Sequence, residues 1–177
     1  VRVSKNEIHA KATKGVLDLR EWDFENRQGG IKKLDGEWEF YWNELLTSEN
    51  FSCKDSKLSC RDSSKTLKTP DYIPVPHSWN GHQLENNSMI LEGDGYATYR
   101  LTVILPDYLI GEILALRSEY QGTAYRIYAD SKLIQTAGLV GVVSDKAEAM
   151  HLPTVGLIQV TRNHLELIVQ VSNYHNR

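Results

Sequence analysis

The stretch Asn163-His-Leu-Glu-Leu-Ile-Val-Gln-Val-Ser-Asn173 places a large apolar residue at every second position. The alternating residues are Leu165, Leu167, Val169 and Val171, and between them lie Glu166, Ile168 and Gln170. A period of two is that of a β-strand, whose successive side chains point to opposite faces of a sheet. The segment therefore predicts a strand with one face in a hydrophobic core.

Further strands are predicted upstream of this one. Alternation recurs in Tyr96–Leu105, and β-forming residues are frequent in Glu112–Tyr120, Thr123–Asp130 and Lys132–Thr136. Turn-forming pairs separate these segments at Pro106-Asp107, Gln121-Gly122 and Asp130-Ser131, the last of which fits a two-residue hairpin turn. Short strands at close spacing predict an all-β fold, either a sandwich or a barrel.

Outside these strands, the pattern predicts short helices and one long insertion. The helices are expected around Arg20–Phe24 and Trp42–Thr47. Residues 48–70 are rich in Ser, Lys and Asp and poor in large apolar side chains, which is typical of a polar surface insertion. A chain of 177 residues suits one domain with a substantial core, so we expect a single domain over 1–177, with 1–14 as a lead-in.

Charge and motif content argue against several function classes. The net charge is −3 and no basic block occurs, so a nucleic-acid partner is not expected. The spacings G-x-S-x-G, H-E-x-x-H and G-x-G-x-x-G are absent, as is a phosphate-binding loop. The six histidines include no pair four residues apart, and no Asp-rich loop indicates a structural calcium site. No metal or cofactor is predicted.

The two cysteines, Cys53 and Cys60, lie in the polar segment. A zinc site needs about four ligands, and no His/Cys pair of zinc-finger spacing stands beside them. Two cysteines that close a short exposed loop favour a disulfide over free thiols. Such a disulfide would imply an oxidising compartment.

Short sequence motifs, in a fixed order, resemble those of a known family. Leu34-Asp-Gly-Glu-Trp-Glu-Phe-Tyr-Trp42 resembles the opening strand of the sugar-binding domain of β-galactosidase and β-glucuronidase relatives. The words that follow it are Val75-Pro-His-Ser-Trp79, Gly95-Tyr-Ala-Thr-Tyr-Arg100, Thr123-Ala-Tyr-Arg-Ile-Tyr-Ala-Asp-Ser-Lys132 and Val171-Ser-Asn173. The resemblance implies a jelly-roll β-sandwich of the galactose-binding type. Asp130-Ser131 departs from the Asn-Gly of that family's hairpin, which leaves its turn type open.

A second and closer resemblance adds Gly15-Val-Leu-Asp-Leu-Arg-Glu-Trp-Asp-Phe24. Together with Leu34–Trp42, this word is similar to the extracytoplasmic N-terminal domain of bacterial receptors with seven transmembrane helices and diverse intracellular signalling modules. The similarity covers residues 15–175 and implies a location on the periplasmic or extracellular side of a bacterial membrane. It also implies a membrane bundle and an output module, such as a histidine kinase or a nucleotide cyclase, in the full-length protein.

The acidic residues give little support to an enzymatic role. Glycoside hydrolysis needs two carboxylates placed across one bond. Glu37 and Glu39 flank Trp38 and so share one face of a strand, which is typical of a solvated face. In β-galactosidase relatives the resemblance assigns the catalytic acids to a separate barrel domain, which this chain is too short to include. We therefore expect a non-catalytic domain.

Ligand binding is the expected role, because sugars are recognised by aromatic rings and planar polar side chains. The predicted loop over 77–83 offers His77, Trp79, Asn80 and Gln83 as contacts. The alternative for Trp79 is a core residue that anchors its turn, and we favour it. Trp22, Trp38 and Trp42 are also expected to pack in the core, since each lies in an apolar-rich element.

The other candidate contacts are Tyr96, Arg100, Tyr120, Gln121, Arg126 and His175. Arg100 and Arg126 could each bind a carboxylate of a ligand through two hydrogen bonds. The alternative for both is a structural ion pair with a strand neighbour, which is the commoner arrangement. Tyr174 and His175 follow the last strand and are expected at the same end of the sandwich.

Three functions remain open from the sequence. The first is a sensor domain that binds a carbohydrate or a small carboxylated ligand and contacts the transmembrane region of its own chain. The second is a non-catalytic sugar-binding accessory domain of a glycoside hydrolase. The third is a structural sandwich without a ligand, for example one that forms a homodimer.

Overall fold

The computed structural model describes residues 10–25, 31–55, 67–86, 88–118, 124–142 and 154–174, without the side chains of residues 53–55 and 154. These residues form nine strands and one α-helix. The strands are β1 (Val16–Asp18), β2 (Gly36–Trp42), β3 (Asp71–Val75), β4 (Gly95–Ile104), β5 (Ile113–Ser118), β6 (Ala124–Ala129), β7 (Lys132–Ala137), β8 (Thr154–Gln159) and β9 (His164–Asn173). The helix is α1 (Ser48–Asp55). Among these elements no helix has the length and apolar content needed to cross a membrane.

The strands form a large sheet and a small one. The large sheet has the order β3-β2-β4-β9-β6-β7, and every pair along that path is antiparallel. β1 runs parallel to the last residues of β4, beyond the point where β2 leaves it. β5 and β8 form the small antiparallel sheet. The two sheets make a β-sandwich, and the predicted fold class is confirmed.

The core lies between the two sheets and follows from the alternation in the sequence. β4 and β9 pair along their whole length, from Gly95 opposite Asn173 to Ile104 opposite His164. Their buried residues that face the core include Tyr99, Leu101, Val103, Leu165 and Leu167. The small sheet adds Leu114, Leu116 and Ile158 from the other side. Both predicted long strands are therefore confirmed, and their observed bounds differ from the predicted ones by at most one residue.

The hairpin between β6 and β7 has the two-residue turn that the sequence predicts. Ala129 pairs with Lys132, and both intervening residues have positive φ, +45° for Asp130 and +70° for Ser131. Two consecutive left-handed residues are the signature of a type I′ turn, which matches the twist of a hairpin. The Asp130 carboxylate accepts a hydrogen bond from the backbone N–H of Glu166 at 3.0 Å. Asp-Ser therefore makes a turn that Asn-Gly commonly makes.

Neither predicted helix is present. In the segment Arg20–Phe24, the Asp18 carboxylate accepts hydrogen bonds from the backbone and the guanidinium of Arg20, and the Asp23 carboxylate accepts one from the backbone of Glu25. Such local bonds between short side chains and the backbone stabilise turns instead of a helix. Trp42 ends strand β2, and the chain becomes helical only at Ser48.

Helix α1 lies inside residues 48–70, the segment predicted as a polar surface insertion. It packs on the outer face of the large sheet, away from the main core, where it forms a second apolar cluster. The buried members of the cluster are Tyr41, Leu46, Phe51 and Ile168. Phe51 comes from the helix, and it is 3% exposed. The helix sequence Ser-Glu-Asn-Phe-Ser-Cys-Lys-Asp has no apolar periodicity, so the sequence did not reveal the helix.

Polar side chains of the large sheet hold the chain that leads into α1. The Thr98 hydroxyl donates to the carbonyl of Glu44 at 2.7 Å and accepts from the N–H of Leu46 at 2.9 Å. The Gln170 amide donates to the carbonyl of Leu46 at 2.9 Å. Thr98 and Gln170 are buried in β4 and β9, and they satisfy backbone groups that are not part of any regular element.

We expect stability to fall at alkaline pH because two phenols are buried. Burial raises the pKa of Tyr41 and of Tyr99 above the ordinary value of 10.0. The unfolded chain ionises these groups from about pH 10 upward while the folded chain keeps them protonated, so stability present below that pH is lost above it. Denaturation in urea between about pH 8 and pH 11 should show this loss. Tyr99→Phe should reduce the slope of the free energy of unfolding against pH by up to about 1.4 kcal/mol per pH unit.

The matched control is Tyr108→Phe, since Tyr108 is an exposed tyrosine outside the core. The slope of that variant should equal the slope of the parent chain. An equal slope for Tyr99→Phe and for the parent would contradict the prediction.

Candidate functional site

Four aromatic residues cluster at one end of the core. Phe40 and Tyr99 have ring centroids 5.0 Å apart, and those of Trp42 and Trp79 are 5.5 Å apart. Trp79 is only 6% exposed, and its indole N–H donates to the carbonyl of Gly93 at 3.0 Å. The structure therefore favours the core interpretation of Trp79 over its role as a ligand contact.

Trp42 lies at the open end of this cluster. It is the last residue of β2, and its indole is only partly buried. Gly95 adopts φ +151°, and a Cβ at that position would run into the Trp42 ring. The missing side chain at Gly95 lets the start of β4 approach the indole closely. One large aromatic surface therefore reaches the end of the sandwich.

A cleft of about 300 Å³ opens at the same end, and we call it the sandwich-end cleft. It is lined by Asn80, Glu92, Gly93 and Asp94, which come from the loop after β3 and the turn before β4. The carbonyl of Gly93 accepts a second hydrogen bond, from the side-chain amide of Asn173 at 2.9 Å. Gly93 is thus fixed between Trp79 and the end of β9, which positions the carboxylates on either side of it.

Two tyrosines lie beside Asp94. Burial, together with the nearby Tyr96 phenol and Asp94 carboxylate, raises the pKa of Tyr174. The Tyr174 hydroxyl donates to the carbonyl of Val142 at 2.7 Å. Of the sequence candidates, Asn80 and Tyr96 therefore lie at this end, and Tyr174 is there as expected.

The lining of the sandwich-end cleft suits a hydroxyl-rich ligand. An amide both donates and accepts hydrogen bonds, and carboxylates accept them from hydroxyl groups. The volume is at the lower end of the range for small-molecule sites, which is roughly 300–1,000 Å³. In the described part of the chain, no group of three or more His, Cys, Asp or Glu side chains is arranged to hold a metal ion.

A smaller cleft of about 200 Å³ lies where α1 begins. Its lining residues are Thr47, Ser48, Glu49, Tyr128 and Ser131. None of them is a sequence candidate, whereas Asn80 lines the larger cleft. The sandwich-end cleft is therefore the stronger candidate site.

His77 and Gln83 are exposed in the loop that contains Asn80, but each bonds within that loop. The Nδ1 atom of His77 lies 2.6 Å from the carbonyl of Ser78. The Gln83 amide donates to the carbonyl of Ser88 at 3.3 Å. Neither residue lines the sandwich-end cleft.

Arg100 and Arg126 lie on the outer face of the large sheet. Arg100 donates to Glu166 at 2.7 Å and to Glu39 at 3.3 Å, and its guanidinium stacks over the Phe51 ring at 4.4 Å. The geometry thus supports the structural ion pair for Arg100. Arg126 is opposite Gln170 on the same face.

Three sequence candidates, Tyr120, Gln121 and His175, lie outside the described residues. So do Cys60 and the side chain of Cys53, and their disulfide stays a prediction.

Sequence reasoning missed Glu92 and Asp94. A signal was present, since Glu92-Gly-Asp-Gly95 is a polar, glycine-rich turn directly before a predicted strand. Such turns lie at the ends of sandwiches, where binding residues concentrate. Trp42 was assigned to the core on the apolar character of its strand, which is correct for most of its surface.

No model of a known protein family matches the chain, and no curated protein matches it. Solved structures do. The β-glucuronidase of Faecalibacterium prausnitzii matches 81% of this chain at 21% identity with a TM-score of 0.51. The β-glucuronidase of Ruminococcus gnavus in complex with D-glucuronic acid matches 81% at 19% identity with a TM-score of 0.52. The chain spans only 21% and 22% of those two proteins. The similarity establishes a shared sandwich fold.

Proposed function

We propose that this domain binds a carbohydrate without catalysing a reaction on it, and that the sandwich-end cleft is the binding site. The observation that carries the proposal is the cleft, which an amide and two carboxylates line, next to Gly95, against which the partly buried Trp42 ring packs. Hydroxyl groups of a sugar bond to such polar groups, and its C–H face packs on an aromatic ring. The fold shared with β-glucuronidases, which act on sugars, supports the proposal.

The proposal predicts that Asn80→Ala weakens sugar binding about tenfold, because one or two hydrogen bonds to the ligand are lost. Binding would first be found by a thermal-shift screen of mono- and disaccharides. A ligand at about a thousand times its Kd should raise the free energy of unfolding by about 4 kcal/mol. Titration calorimetry on the parent and the variant then gives both Kd values.

The matched control is Gln83→Ala, an exposed amide of the same loop that lies outside the cleft lining. It should leave Kd unchanged within about twofold. A screen in which no sugar shifts the melting temperature would favour the structural sandwich, with or without homodimerisation, over the binding function.

In the full-length protein, we propose that the domain is the extracytoplasmic sensor of a membrane receptor. The sequence motifs Gly15–Phe24 and Leu34–Trp42 support this role, because together they resemble the sensor domains of such receptors. A bound ligand can shift a receptor only through different affinities for its two states, so the domain must also contact its transmembrane region. We propose no cofactor and no nucleic-acid partner.

The sequence of the complete gene tests this context. Seven apolar spans downstream of the domain would support the sensor. A catalytic barrel domain in their place would overturn it, and would make the chain a sugar-binding accessory domain of a glycoside hydrolase. The similarity to β-glucuronidases favours this second candidate, because in those enzymes the shared fold is one part of a longer chain.

A further inference from the structure

The small sheet of β5 and β8 has one face on the core and one face turned away from it. Leu114, Leu116 and Ile158 pack against the core from the inner face. Successive side chains of a strand point to opposite faces, so the residues between these three point outward. When an antiparallel sheet covers a core with one face, the other face is usually polar and solvated. The small sheet departs from this pattern.

The outer face of the small sheet is largely apolar, and we call it the small-sheet face. Its six outward-pointing residues are Ile113, Ala115, Arg117, Val155, Leu157 and Gln159. Ile113 is 62% exposed, Val155 63% and Leu157 62%. With Ala115, which lies opposite Leu157 in the register, they expose on the order of 400 Å² of apolar surface. Apolar patches of that size mark interaction sites.

The polar groups of the small-sheet face lie at its ends. The Gln159 amide donates to the carbonyl of Gly111 at 2.8 Å, so it is bonded within its own chain. Arg117 is the one charged residue among the six and lies towards the end of β5. Glu112, an exposed carboxylate, directly precedes the beginning of β5. The face therefore has an apolar centre, a cation near one end and an anion at the other.

The area of the small-sheet face suits a protein interface. A stable interface buries roughly 800 Å² on each partner, of which a little more than half is apolar. The exposed apolar side chains of this face supply about that share, and the charged residues at its ends supply a polar rim. On the large sheet, by contrast, the outward-facing apolar residues Tyr41 and Ile168 are already buried beneath α1.

We propose that the small-sheet face is the interface of a homodimer, in which two copies stack face to face about a two-fold axis. A two-fold interface uses the same patch on both copies, so the patch must be complementary to itself. An axis that crosses β5 at Ala115, perpendicular to the strand, meets this requirement. It stacks Leu157 on Leu157 of the second copy and brings Arg117 to Glu112 of the second copy, twice in each dimer.

This interface is separate from the proposed carbohydrate site. The lining of the sandwich-end cleft shares no residue with the small-sheet face. The dimer therefore neither requires sugar binding nor excludes it.

Sedimentation of the 177-residue chain tests the proposal, at concentrations between about 1 and 300 µM. We expect a monomer–dimer equilibrium with a Kd in the micromolar range or below. Leu157→Glu should raise Kd at least about a hundredfold, because the axis buries the introduced carboxylate twice without a cation beside it. Leu133→Glu is the matched control, since Leu133 is 47% exposed on β7 of the large sheet, and it should leave Kd unchanged within about twofold. Circular dichroism spectra verify that both variants fold.

Exchanging the two charges tests the two-fold arrangement. Arg117→Glu and Glu112→Arg should each raise Kd about tenfold, because each places like charges together at both ends of the interface. The double variant, which carries both substitutions, restores the opposite charges and should return Kd to within about threefold of the parent value.

Three results would overturn the inference. The first is a chain that stays monomeric over the whole range, including one that instead binds phosphatidylcholine vesicles through this face. The second is a dimer that Leu157→Glu leaves intact, since its interface would lie elsewhere. The third is a double variant as weak as the single ones. The sugar titrations of the parent chain are measured separately, so failure of the dimer and failure of the proposed function are distinguishable.

Discussion

Gly36→Ala is expected to lower the free energy of unfolding by about 3–5 kcal/mol, a loss at the upper end for a single substitution. Gly36 adopts φ +125°, a backbone conformation that other L-residues rarely adopt. A Cβ at this position would also collide with the backbone nitrogen, carbon and oxygen of Ala12. These atoms cannot move aside by a rotamer change.

The collision cannot relax easily because Ala12 is held against β2 on both sides of Gly36. The N–H of Ala12 donates to the carbonyl of Asp35, and the N–H of Glu37 donates to the carbonyl of Ala12, both at 2.8 Å. Shifting Ala12 away would weaken both hydrogen bonds and withdraw a side chain that is buried in the core. The backbone strain and the lost contacts therefore both lower the free energy of unfolding.

Denaturation in urea, monitored by circular dichroism, measures the loss in the free energy of unfolding. Gly111→Ala is the matched control: Gly111 also has positive φ, +98°, but no atom lies within 4 Å of the position its Cβ would take. It should cost only the backbone strain, about 1–2 kcal/mol. Equal losses for the two variants would show that the close approach of Ala12 has no energetic weight.

The strand pattern was predictable because it is a local property. In Tyr96–Leu105 each side chain faces the core or the outer surface according to its position along one strand, and neighbours in sequence suffice to show this. The hairpin at Asp130-Ser131 is also local, since its two residues must both adopt positive φ.

The surroundings of Arg100 were not predictable because they depend on strand pairing. Glu39 is its partner across the β2–β4 register, and Glu166 is opposite Thr102 in the β4–β9 register. These residues lie 61 and 66 positions from Arg100 in the chain. A sequence pattern shows which residues face outward, but it does not show which outward-facing residues are neighbours.

The sandwich-end cleft was only partly predictable for the same reason. The sequence of its loop is enough to identify Asn80. Glu92 and Asp94 are held at the same cleft because the carbonyl of Gly93 between them accepts hydrogen bonds from Trp79 and Asn173. Asn173 lies 80 positions from Gly93 in the chain. Polar side chains at the ends of strands are therefore best treated as a group until the pairing of those strands is known.

Phe51→Ala is expected to lower the free energy of unfolding by about 3–4 kcal/mol, within the usual range for a fully buried phenylalanine. The Phe51 ring packs 5.3 Å from the Tyr41 ring and lies over the Arg100 guanidinium. Its removal leaves a cavity beneath α1, loses the cation–π contact and admits water to the pairs that Arg100 makes with Glu39 and Glu166. The last effect weakens those pairs, because water screens charge.

The substitution tests whether α1, in a segment that reads as polar, is a structural part of the domain. Phe24→Ala is the matched control, since Phe24 is the same residue type but only partly buried at the edge of the main core. Both losses would be measured by denaturation in guanidinium chloride, and Phe24→Ala should cost less, about 1–2 kcal/mol. A loss below about 1 kcal/mol for Phe51→Ala would contradict the packing of α1 on the sheet. Phe51→Leu should recover part of the loss, because it refills the cavity but does not restore the contact between the ring and the cation.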